Sequence, residues 1–148
     1  YLVIAEKTRI MKRFIFAVAA VLLALVSCEK DETKSIIGTW EAVTVDLVME
    51  GINMSVDAKE MGMGMTFTFR ENGTGTLVET AEGETITADF KYSVSDGILT
   101  IEPGEDMFLE NKANIPFTIK GNKLTLVFDS ETIMEENGAA ITIHFEKK

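Results

Sequence analysis

From Ile36 onward, apolar and polar residues alternate one for one in short runs, each bounded by a Gly-containing turn. Alternation of period two puts successive side chains on opposite faces of an extended chain, so each run predicts a strand with one buried face. The first covers about 39–49, with Val43, Val45, Leu47 and Met49 on one face. The second turns Met63, Met65, Phe67 and Phe69 inward and Thr66, Thr68 and Arg70 outward. Asn72-Gly73 leads into a third strand at 74–80, and Glu82-Gly83 into the clearest one. There Ile86, Ala88, Phe90, Tyr92 and Val94 alternate with Thr87, Asp89, Lys91 and Ser93. Asp96-Gly97 is a hairpin signal, because both central residues of a tight type I′ turn need positive φ. A fifth strand at 98–102 stops at Pro103-Gly104. The sixth carries Ile115, Phe117 and Ile119, with Pro116 expected at its start for want of a backbone donor. Gly121-Asn122 opens a seventh with Leu124, Leu126 and Phe128, and the eighth holds Ile141, Ile143 and Phe145. Only 129–137 suggests a turn of helix.

Eight strands joined mostly by tight turns form a meander, and a meander removes its exposed edges by closing on itself. A two-sheet sandwich needs longer crossovers than this chain offers. The expectation is therefore all-β: an eight-stranded antiparallel up-and-down barrel over 36–148. Phe67, Phe69, Phe90, Tyr92, Phe117, Phe128 and Phe145 share the inward phase. A barrel of eight strands is either filled by side chains or just wide enough for one small molecule. Both outcomes stay open at this point.

Ahead of the strands the pattern changes. Lys12 and Arg13 precede an apolar run over 14–26, 13 residues long, against the roughly 20 that a membrane-spanning helix needs. A basic start and a short apolar stretch make a secretory signal. Leu25-Val26-Ser27-Cys28 follows directly and resembles the lipobox of bacterial lipoproteins, which implies lipid attachment and cleavage at Cys28. Residues 1–10 then read as an upstream extension, 11–27 as the signal peptide and 28–35 as an acidic tether. Lys30-Asp31-Glu32 resembles the short export signal of surface lipoproteins in Bacteroidetes, so the chain is expected in the outer membrane, on its outer or its periplasmic face.

Charge narrows the chemistry. The chain holds 14 basic and 24 acidic residues, a net charge of −10. Without Lys7, Arg9, Lys12, Arg13 and Glu6, the part from Cys28 onward has 10 basic and 23 acidic residues, or −13. Nucleic acid is not an expected partner, since neutralising phosphate takes a basic surface. One cysteine excludes an intramolecular disulfide, and one histidine excludes a His-rich metal site. No cofactor is expected. Met49, Met54, Met61, Met63 and Met65 form the one unusual cluster. They admit three readings: core or rim packing, a portal for an apolar ligand, or soft thioether ligands for Cu(I). His144 alternates with Ile143 and Phe145 and should face outward. A Ser/His/Asp set around it needs residues far apart in sequence, and no enzyme is expected.

Gly38-Thr39-Trp40 at the start of the first strand resembles the lipocalins and the wider calycin group, in which the Trp plugs one barrel end. The stretch from Phe67 through Arg70, Asn72-Gly73 and Gly75 to Thr76 is similar to small bacterial lipocalin-like lipoproteins. So are Tyr92 to Gly97 with Leu99, and Lys120 to Leu124. The resemblance covers roughly 36–145 and implies a carrier of a small molecule. It implies ligand contacts at Met63, Met65, Phe67, Phe69, Phe90, Tyr92, Phe117 and Phe145, with Trp40 as the plug. Lipocalins commonly pack an Arg near the last strand against that Trp. Here only Lys147 or Lys148 is available. Arg70 is the sole Arg after Cys28 and alternates away from the interior, so a buried anionic headgroup would lack a partner. The expected ligand is apolar and neutral. The alternative is a filled barrel acting as an interaction module for an envelope protein or a polysaccharide.

Overall fold

A computed structural model describes residues 32–129 and 139–148. Cys28 lies outside the described residues, as does the helical turn expected over 129–137 beyond Asp129. Every stretch of period-two alternation is a strand, and among the described residues there are nine. They are β1 (Gly38–Met49), β2 (Ile52–Asp57), β3 (Met63–Phe69), β4 (Thr74–Ala81), β5 (Glu84–Ser95), β6 (Ile98–Pro103), β7 (Ala113–Lys120), β8 (Lys123–Asp129) and β9 (Ala140–Lys147). All pairings are antiparallel, and β1 pairs β9, so β1 and β3 to β9 close into an eight-stranded barrel. The inward residues form one core that includes Trp40, Phe67, Leu77, Leu99, Ile115, Leu126 and Phe145.

The strand missing from the expectation is β2. It runs against β1 from Thr44 to Met49, while β3 takes the same edge of β1 from Gly38 to Glu41. β2 and β3 are thus one interrupted strand, with residues 58–62 looped out between them. Buried Ala58 pins the break: its N–H donates to the Val43 carbonyl at 2.9 Å, and its own carbonyl accepts from Met63 N–H at 3.0 Å.

Two local placements depart from simple alternation. Val43 was expected inward beside Val45 and Leu47, but the β1–β9 register shifts between Ala42 and Thr44. A bulge adds one unpaired residue and reverses the phase. The inner face therefore reads Trp40, Ala42, Val45, and Val43 is the bulged residue. Pro116 stands fourth in β7 rather than first. β7 pairs β6 through Ala113 to Pro116 and β8 only from Phe117 onward. The missing donor thus coincides with the point where the β8 ladder begins, and the ladder loses no paired bond.

The barrel's ends differ. At one end lie the turns after β3, β5 and β7, the final residues, and a single helical turn over 32–36. Part of the expected acidic tether is thus docked, with Gly97 N–H donating to the Glu32 carboxylate at 3.3 Å. Of the described residues, the turns after β1 and β4 and the loop 104–112, whose Met107 and Leu109 are buried, lie at the other end.

Candidate functional site

The first end is sealed. Trp40 is fully buried, and its indole Nε1–H donates to the Ile36 carbonyl at 2.8 Å. Lys147 lies over the indole, 5.3 Å from the ring centroid, and is the one of the two C-terminal lysines that meets the Trp. Gly38 makes room for it: φ is +133°, and a Cβ there would stand 2.7 Å from the Lys147 side chain. The lysine tip could shift, so it is the positive φ that favours glycine at the start of the Gly-x-Trp motif.

Above the plug the interior fills with aromatic rings. Phe67, Phe69, Phe90, Tyr92 and Phe145 form a connected set with touching centroids 5.0 to 6.4 Å apart. Phe90 reaches over Gly75, where an added Cβ would fall 2.2 Å from the ring. Tyr92 donates its hydroxyl to the Arg70 carbonyl, so the one polar atom among these rings is satisfied. Burial, and then the nearby Glu71 carboxylate, push the Tyr92 hydroxyl above its usual range. Of the expected lining, Phe117 is buried on the inner face of β7 but faces Leu126. Arg70 is exposed and donates to Thr76 Oγ1 at 2.6 Å, as its outward phase required.

At the opposite end the inner phase continues, but the described residues no longer cover it. Met65 is buried, whereas Met63, Met49, Met54, Ile52 and Ile86 are exposed. Register places them in two groups: Met49 faces Ile52 and Leu47 faces Met54, while Met65 faces Glu79, which faces Ile86. In the loop 104–112 the Phe108 ring meets Phe128 of β8 at 6.2 Å. Among the described residues the result is an apolar rim, the mouth of the barrel, beyond the packed rings. Met61 is exposed in the 58–62 loop, so the five methionines are divided between buried wall, rim and loop. Glu79 is the exception within the mouth. It shares the inward phase of Leu77, and burial raises its carboxyl above the usual glutamate range. Alternation made that inward phase readable from the sequence, but the sequence reading weighed only basic residues there.

A second polar group sits on the outer face. His144 Nε2 lies 2.7 Å from Asp46 Oδ2, and Thr125 Oγ1 lies 3.2 Å from His144 Nδ1. The Asp46 carboxyl is held below its usual range, first by a hydrogen bond from Ser55 and then by His144. The sequence separations are 98 and 19 residues, so folding supplies the long-range meeting that the sequence could not show. The groups join β2, β1, β9 and β8 across the outside of the barrel. Among the described residues no cluster of His, Cys, Asp and Glu fit to hold a metal is found.

A closed eight-stranded antiparallel barrel, plugged at one end by a Trp from its first strand, defines a calycin-type protein. The lipocalin-like domain family matches residues 36–126, and the chain belongs to that family. Its fold is similar to that of a lipocalin-like protein from Bacteroides uniformis, at a TM-score of 0.53 and 16% identity over 77% of this chain and 99% of the other. An uncharacterized protein from Bacteroides eggerthii aligns at a TM-score of 0.49 and 13% identity, over 76% and 98%. Apocrustacyanin C1 aligns at 0.42 and 12%, over 77% and 61%. No curated protein matches the sequence.

Proposed function

We propose that this chain is a lipid-anchored lipoprotein of the bacterial outer membrane whose barrel holds a small apolar molecule at its mouth. The observation that carries this is the contrast between the barrel ends. One is sealed by Ile36, Trp40 and Lys147, while at the other the described residues leave inward-phase Met63, Met54, Ile52 and Ile86 uncovered. Burying an apolar tail against such a rim gains roughly 25 cal/mol per Å² of surface removed from water. The connected rings form the floor, so the ligand sits at the rim rather than deep in the barrel. Methionine suits this place because its flexible thioether adapts to varied apolar shapes. Lipid on Cys28 is the expected anchor, since acyl chains contribute about 0.8 kcal/mol per buried CH₂. Native mass spectrometry of the purified protein tests the reading: a co-purifying small molecule, displaced by an apolar competitor, is the expected result.

An interaction module is the second reading, and β2 favours it. Among the described strands β2 pairs only β1, which leaves its far edge open to another chain. Protein capture that depends on β2, with no small molecule bound, would select this reading.

A further inference from the structure

The mouth is apolar on its inward phase until Glu79. That carboxylate lies on β4 one inward step above fully buried Leu77, flanked across the ladders by Met65 and Ile86. Among the described residues it has neither a hydrogen-bond partner nor a cation within 4 Å. A half-buried, unpaired carboxylate is held at a cost that an opposite charge would offset. The described residues bring no such charge within 4 Å: inward-phase Lys147 is at the far end over Trp40, and Lys112 pairs with Glu102 at 3.8 Å. Glu84, two residues before Ile86 on the same phase of β5, adds a second carboxylate at the rim. The chain's net charge of −10 also draws cations and repels anions at longer range.

We propose that the mouth selects cationic amphiphiles, with Glu79 receiving an ammonium head and Met63, Met65 and Ile86 holding the apolar tail. This rests on the mouth being the binding site, and it replaces the expectation of a neutral ligand, which followed from the outward phase of Arg70 alone. An ammonium donates charge-assisted hydrogen bonds to the carboxylate, an alcohol donates a weaker one, and a fatty acid brings a like charge.

The test uses the whole chain in lipid nanodiscs, with ¹³C-methyl methionine as the reporter and empty nanodiscs correcting for partition. Three probes of equal tail length are titrated: hexylammonium, hexan-1-ol and hexanoate. Hexylammonium should move the Met63 and Met65 methyl signals and bind about tenfold tighter than hexan-1-ol, with hexanoate weakest. In Glu79→Gln that preference should fall to about twofold or less, with hexan-1-ol binding unchanged. Glu82→Gln, in the adjacent turn, should keep it. Equal binding of ammonium and alcohol to the wild type overturns the proposal and leaves the apolar mouth standing. A preference that survives Glu79→Gln, or that disappears equally in Glu82→Gln, also overturns it, because the field would then be diffuse. If no probe moves either methyl signal, the mouth itself is wrong and the proposal falls with it.

Discussion

Phe90 sits where several constraints meet. It touches Phe67, Phe69 and Tyr92, and its ring occupies the space that Gly75 leaves empty. Truncating a large buried ring removes its transfer free energy and leaves a cavity, so Phe90→Ala should cost about 3–5 kcal/mol. Chemical denaturation measures this, and a loss under about 1 kcal/mol would mean that the rings border open volume instead. Glu79 behaves in the opposite sense. Its folded pKa is raised by burial, so the ionised form weakens the fold, fully so above the raised value. The penalty fades as pH falls and is gone below the ordinary glutamate pKa, where both states are protonated. Glu79→Gln should therefore raise the melting temperature at pH 7 and leave it unchanged near pH 3. Melting curves across that range check the sign.

Strand by strand, alternation was enough to place β1 and β3 to β9, because each buries one face and a slip of one residue would expose it. It failed where a local rule was broken by tertiary pairing. The bulge at Val43 reverses the phase of β1, and nothing in Ala42-Val43-Thr44 announces it. β2 alternates as cleanly as its neighbours, with Ile52, Met54 and Val56 against Asn53, Ser55 and Asp57. Its apolar face is mostly uncovered, so burial logic gave it no core to face. The sealed end was legible through Gly38 and Trp40. The mouth was half legible: its methionines stood out, but alternation does not say that Met65 is covered while Met49, Met54 and Met63 are not. The Asp46 cluster was not legible, since its members come together only when β1 meets β9 and β2. There the carboxylate is bound by Ser55 and His144, and its lowered pKa means that it stabilises the fold above the ordinary aspartate range. That contribution is lost as pH falls through the lowered folded value. Asp46→Asn should cost about 0.5 kcal/mol at pH 7, the scale of a solvent-screened pair, and nothing in strong acid. Paired denaturation curves at the two pH values show whether this cluster pins the β1–β2 hairpin to the barrel.

For the whole molecule, the proposed arrangement joins a barrel with one sealed end and one apolar mouth to a lipid anchor on Cys28. Cys28→Ser should abolish incorporation of a clickable fatty acid and leave an unprocessed precursor; undiminished label would exclude this anchor. Replacing Lys30, Asp31 and Glu32 with Ala should lower protease accessibility on intact cells without lowering total protein, if the protein is displayed outside. The central claim is that the mouth holds a small molecule, and titration with a neutral fluorescent apolar probe tests it most directly. The wild type should bind the probe saturably at one site. Met63→Gln combined with Ile86→Gln should weaken binding by about tenfold or more with little change in melting temperature, because Met63 is 36% and Ile86 49% exposed without ligand. No saturable binding by the wild type, or equal binding by the double variant, would contradict the account.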